Sequence, residues 1–209
     1  NKNIDCLIKG KVNYSFYPTP RIKIKDLVVN HKDKKSTLLK ANNVAIKLSF
    51  KNLLIKKKQN FKEIKLNNFN ANIDLKNLKK YKNIFLKNFD FVPVKFEKGN
   101  FIFLSKKNTI ASINDTNLDL NFQKNSIDAT LRGKFLNDSI YINLSSKKIN
   151  DIPSTDIILK VSKFKLLTKA NYINPQNDQK INSGNFLIKK DNHRFVGIFD
   201  YKNNEIKIK

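Results

Sequence analysis

Methionine and tryptophan are absent from the 209 residues, and cysteine is represented by Cys6 alone. A single thiol excludes an internal disulfide and leaves the redox compartment open. Methionine is missing even at position 1, where the chain begins with Asn1; the sequence therefore reads as an internal piece of a longer polypeptide, with any targeting or anchoring segment outside it. Long apolar runs are also lacking. The longest hold three to five residues, such as Phe101-Ile102-Phe103-Leu104, against the roughly 20 that a membrane-spanning helix requires. Five Gly and five Pro are too few to punctuate such a chain, so its turns fall to Asn, Asp, Ser and Lys. Histidine is limited to His31 and His193, and arginine to Arg21, Arg132 and Arg194.

What is abundant is lysine. Lys+Arg total 42 against 17 Asp+Glu, a formal charge of +25, and a charge of that size points to nucleic acid or an anionic surface as a partner. The scarcity of arginine weighs against base reading and forked phosphate clamps, which favour its planar guanidinium. Phe outnumbers Tyr sixteen to six and mostly occupies apolar alternating positions. Only Tyr14-Ser15-Phe16-Tyr17 is dense enough for an exposed stacking platform. The charge also accompanies plentiful Asn, Ile and Phe, the usage that AT-rich codons produce. A basic polyanion-binding β-domain is therefore the alternative reading, with nucleic acid disfavoured.

Apolar residues recur at every second position through most of the chain, as in strands buried on one face. Ile22 and Ile24 alternate with Arg21, Lys23 and Lys25; Val44, Ile46 and Leu48 alternate with Asn43, Ala45, Lys47 and Ser49. Leu118, Leu120 and Phe122 follow, then Ile127, Ala129 and Leu131, then Ile140, Ile142 and Leu144, and finally Ile206 and Ile208 between lysines. Asp26, Asp115 and Asp138 are placed at strand ends as turn caps, and Asn137-Asp138-Ser139 as a turn. Helical spacing occurs only over 49–57 and 75–89, the latter with Asp74 as N-cap. The pattern predicts a mainly β fold: an elongated, twisted antiparallel sheet curled into a groove, with those one or two short helices near its N-terminal end. Residues 1–95 form its first sheet and helices, and 96–209 the hairpins that follow.

From Gly10 to Val29 the chain runs Gly-Lys-Val-Asn-Tyr-Ser-Phe-Tyr-Pro-Thr-Pro-Arg-Ile-Lys-Ile-Lys-Asp-Leu-Val-Val. This glycine-led strand, aromatic-Pro-x-Pro turn and second strand ending in a Leu-Val pair resemble the N-terminal signature of the AsmA family. Leu38 to Leu54 is similar to the family's strand and short helix, and Phe61 to Leu75 to its paired strands. Gly99-Asn100-Phe101-Ile102-Phe103 and Ile113 to Leu120 look like its hairpin before Gly133-Lys134-Phe135. The resemblance spans roughly residues 8 to 145. Phe69 stands where a Pro is common, and the chain has no Trp where the family often carries one. Membership implies an inner-membrane anchor outside this segment, a periplasmic β-groove body, and a part in outer-membrane biogenesis through lipid transport. It implies no enzyme activity, cofactor or catalytic residue. Its partners would be phospholipids or other acyl lipids, the membrane, and envelope proteins.

The candidate acyl-chain face consists of Ile22, Ile24, Val44, Ile46, Leu48, Ile64, Leu66, Phe101, Phe103, Leu118, Leu120, Phe122, Ile127, Leu131, Ile140, Ile142 and Leu144. The same residues would equally fill an ordinary closed core, since period two does not distinguish a sandwich from an open trough. Lys23, Lys25 and Lys47 on the other parity are candidates for contact with phosphate headgroups. Neither histidine has a second ligand at metal spacing, no phosphate loop or nucleophile elbow is present, and Cys6 is read as a small inert hydrophobe.

Overall fold

The computed structural model describes residues 4–31, 36–50, 61–77, 92–105, 108–123, 126–149, 152–173, 182–202 and 205–209. Almost all of them are extended. The strands are β1 (Ile4–Ile8), β2 (Val12–Ser15), β3 (Arg21–His31), β4 (Thr37–Leu48), β5 (Phe61–Asp74), β6 (Val94–Ser105) and β7 (Asn108–Gln123). They continue as β8 (Ser126–Phe135), β9 (Asp138–Ile149), β10 (Ile152–Val161), β11 (Leu166–Ile173), β12 (Asn182–Lys190), β13 (His193–Lys202) and β14 (Glu205–Ile208). Hydrogen bonding follows chain order from β3 to β14. β1 and β2 share β3 as partner, β1 along Leu27 to His31 and β2 along Arg21 to Ile24. The two ends of this order do not pair, so the sheet is not closed. It is antiparallel in the main; β5 and β6 are parallel, Ile64 facing Val94.

Among the described residues there is no α-helix, and the expected short helices find no support. β5 continues as a strand to Asp74, which accepts the Lys76 N–H at 3.0 Å. What that carboxylate caps is a single 3-10 turn, Leu75–Asn77. Residues 78–89 and 51–57 of the expected helices lie outside the described residues. Phe61 to Asp74 is one continuous strand rather than a pair. The turn expected at 137–139 is formed by Leu136 and Asn137, with Asp138 already opening β9.

The chain divides into two compact units, residues 1–118 and 119–209. Inside the first, several strands carry a residue in the left-handed region: Asp26 (φ 54°) in β3, Asn68 (φ 53°) in β5, Lys98 (φ 54°) in β6 and Asp115 (φ 49°) in β7. Asp26 and Asp115 are thus interior to strands, not at their ends. The registers show what these residues do. Lys25 pairs with Asn43 and Leu27 with Ala41, so Asp26 and Asn42 are both passed over; Asn67 pairs with Asn43 and Phe69 with Ala41, passing over Asn68. Both strands step over one residue at each point, so the register is kept and the irregularity is a paired bulge that moves side-chain parity by one in neighbouring strands together. Because the bulges fall in line, the face stays common to neighbouring strands.

The best-packed point of this unit lies beside the bulges. Phe69 is 1% exposed and meets Phe96 and Phe101 edge-on, each with a centroid separation of 5.1 Å. Gly99 on β6 provides the room, since a Cβ there would overlap the Phe69 ring and its carbonyl oxygen.

Candidate functional site

Residues directly opposite one another in a ladder share a face, so the registers assemble the alternating residues into rows. In the first unit one row runs Ile22, Ile46, Ile64, Val94, and the next runs Ile24, Val44, Leu66, Phe96. Beyond the bulges the face continues as Leu27, Ala41, Phe69, then Val29, Leu39, Ala71, Phe101, and then Ile73 with Phe103. Leu48 faces Phe61 past a register shift in β4. On β7 Leu118 keeps the parity of Thr116, whose hydroxyl is fully buried and donates to the Ile113 carbonyl at 2.9 Å. Leu120 and Phe122 repeat that parity further along the strand.

In the second unit the rows extend over six strands. Ala129, Leu144, Ile157, Ala170, Phe186 and Gly197 form one, and Leu131, Ile142, Leu159, Thr168, Ile188 and Phe195 the next. Ile140 lies between Gly133 and Val161. Ile127 occupies the same face in a more polar row, opposite Ser146, which in turn faces Thr155. The structure therefore brings Ile22, Ile24, Val44, Ile46, Ile64, Leu66, Phe101 and Phe103 onto one face in the first unit, and Ile127, Leu131, Ile140, Ile142 and Leu144 onto one face in the second.

Of those residues only Val44, Leu66, Phe101 and Ile140 are buried; the others are half-buried. The physical cause is that no second layer of described residues packs on this face. Among the described residues the substantial contacts between elements all join sheet neighbours, apart from the 3-10 turn against β6. The alternation missed Ala41, Phe69 and Phe96 on this face, and the buried Ile113 on β7. Their signal was present as a three-residue step at each bulge, Leu66 to Phe69 and Ile113 to Thr116, which a strict period of two discards.

The opposite face is polar over most of its rows, although Val28 beside Leu7 in the first unit and Ile158, Leu187 and Val196 in one row of the second also lie on it. In the first unit Glu63 binds Lys47 at 2.6 Å and Lys95 at 3.1 Å, and Lys65 binds Glu97 at 2.7 Å. Burial raises the Glu63 pKa, but the hydrogen bonds and charges of Lys47 and Lys95 together outweigh it, and the carboxyl titrates below its ordinary 4.5. Lys47 is thus engaged by Glu63 and is not free for a ligand. Lys23 and Lys25 are exposed and have no acidic partner among the described residues; they border a depression of about 260 Å³ with Asn13, Asn43, Lys65 and Asn67. In the second unit this face is tied by hydrogen bonds from Ser145 to Asp128 (2.6 Å), Asn143 to Thr130 (3.0 Å) and Asn171 to Asp156 (2.7 Å). Arg132 and Lys160 both stand over the Tyr141 ring.

No protein-family model, curated protein or solved structure matches this chain.

Nor do reactive groups converge among the described residues. No three His, Cys, Asp or Glu side chains come together there, His31 and His193 lie on β3 and β13, and Cys6 is exposed on β1 rather than packed as a small hydrophobe. No helix of the described residues is long and apolar enough to cross a membrane. The arrangement is suited to partitioning: one face offers hydrocarbon, and the other carries most of the charged and hydrogen-bonding groups.

Proposed function

We propose that this chain is a non-enzymatic periplasmic part of an inner-membrane-anchored, AsmA-like protein of outer-membrane biogenesis, holding or conducting phospholipid acyl chains along an apolar β-groove. The observation that supports this most is the run of apolar rows from strand to strand with no second layer of described residues over it. Hydrocarbon laid on such a face gains roughly 25 cal/mol for each Å² removed from water. A closed core of the same residues would leave them buried, not half-exposed. The stretch from Gly10 to Val29 supplies the AsmA likeness, and with it the periplasmic location, the anchor outside this segment and the envelope partners.

The second reading, a polyanion-binding β-domain, draws on the +25 charge and on the exposed Lys23 and Lys25. Native mass spectrometry with lipid extraction, run beside nucleic-acid titrations at several salt concentrations, separates the two. Copurifying acyl lipid that falls at least about tenfold in Ile46→Asp and Leu120→Asp is expected, because a carboxylate on the apolar face is desolvated by bound hydrocarbon. Circular dichroism establishes that these variants remain folded. Absence of lipid together with nucleic-acid binding that falls steeply with salt would establish the second reading instead.

A further inference from the structure

Antiparallel connectivity places the β8–β9, β10–β11 and β12–β13 turns of the second unit along one border of its sheet, at the same end of the strands. Two features of that border serve neither the apolar face nor the ladder. The first is a pair of exposed apolar tips. Leu136 and Asn137, with φ of 50° and 61°, form the two-residue β8–β9 turn. Both central positions are left-handed, which favours Asn and Gly. Leucine is an unfavourable choice there, and its side chain is left in water: Leu136 is 72% exposed. Phe164 projects in the same way from the β10–β11 turn and is 48% exposed. A left-handed leucine that brings no burial to the fold marks a position where something other than folding is served.

The second feature is charge. Lys160, Lys163 and Lys165 flank Phe164, Arg132 and Lys134 precede Leu136, and Lys189, Lys190 and Arg194 bracket the third turn. Only two acids stand among them. Asp138 is buried and turned inward, its carboxylate accepting the Lys163 N–H at 2.9 and 2.8 Å and the Phe164 N–H at 3.3 Å. Asp191 lies 3.7 Å from Lys165. One acid thus organises the turn that bears Phe164, and the other lies beside Lys165, so that Lys163, Lys189, Lys190 and Arg194 form a basic belt beside the two apolar tips.

We infer that this row of turns docks on an anionic phospholipid surface, with Leu136 and Phe164 entering the headgroup–acyl boundary and the belt facing lipid phosphates. Charge complementarity selects the anionic surface, and the apolar tips select a bilayer over a nucleic acid, whose phosphates have no use for an isolated leucine. The inference is independent of acyl chains on the sheet face.

Flotation of the full chain with vesicles of phosphatidylcholine alone and of phosphatidylcholine containing phosphatidylglycerol tests it. Binding is expected only to the anionic vesicles. Leu136→Asn with Phe164→Ser should weaken it at least about tenfold at all salt concentrations. Asn is the better residue for a left-handed turn, so Leu136→Asn alone should hold or raise the urea midpoint while lowering vesicle binding, which separates docking from folding. Replacing Lys163, Lys189 and Lys190 by Gln should cost roughly fivefold for each lysine near 0.15 M salt. Lys23→Gln with Lys25→Gln, on the polar face of the first unit, should cost less. Equal binding to neutral vesicles, tip variants that bind as the parent does, or a larger loss from the Lys23 and Lys25 pair would each overturn the assignment. So would nucleic-acid binding that the Lys163, Lys189 and Lys190 substitutions weaken while vesicle binding does not change.

Discussion

Phe69 shows how much one side chain carries in this sheet. With no opposing layer among the described residues, burial comes from neighbours in the same face, and Phe69 obtains it from two ring edges and from the hollow over Gly99. Gly99 shows no left-handed φ, so its role is space and not conformational freedom. Gly99→Ala should therefore destabilise by about 1–3 kcal/mol, read as a lower urea midpoint at unchanged slope. Phe69→Ala should cost about 3–5 kcal/mol. The double variant should lose less than the sum, because the added methyl enters the volume the ring has left. The rescue is partial, since the Phe69 carbonyl also lies against the new methyl. Additive losses would show that Gly99 and Phe69 are not matched in this way.

Along the strands, the aligned bulges keep the apolar face whole. Each left-handed residue inserts one step into its strand, and the neighbouring strand is stepped in the same place. Deleting Asn68 alone should put β5 out of step with β4 and β6, sending either Leu66 or Phe69 to the lysine-bearing face, because removal of one in-strand residue reverses the parity of all that follow it. We expect that variant to lose cooperative unfolding. Fluorescence or circular dichroism during urea unfolding measures the outcome, and a sharp transition near that of the parent would contradict the role assigned to the bulge.

For the molecule as a whole, burial is unevenly spread between the units. Val28, Ala41, Val44, Leu66, Phe69, Ala71, Phe101 and Ile113 are buried in residues 1–118, against Ile140 and Val161 in residues 119–209. At the far end of the strand order Phe195, Val196, Ile198, Ile206 and Ile208 are each more than half exposed. Local opening follows local burial, so hydrogen exchange should be slowest in the amides of β4 to β6 and fastest in β13 and β14. Uniform exchange across these strands would mean that the sheet opens as one cooperative body.

Period two is a local property, and it suffices for the strand content, the inward parity of Ile22, Val44, Leu131 or Ile142, and the mainly polar character of the other face. The AsmA resemblance proposed for Gly10 to Val29 rests on the sequence alone, and only the envelope location and partners in the functional proposal depend on it. Of the helical spacing over 75–89, only Leu75–Asn77 is described, and there a single 3-10 turn follows the strand. Which strands are neighbours, and that β5 and β6 run parallel, depends on hydrogen-bond partners far apart in the chain, and such partners leave no local trace. The same holds for the bulges. A left-handed Asn68 or Lys98 is set by the strand beside it, and from the sequence alone each resembles a break in the pattern. Whether a second layer covers that face was also beyond the sequence, since alternation records that a face is apolar and not what, if anything, lies upon it.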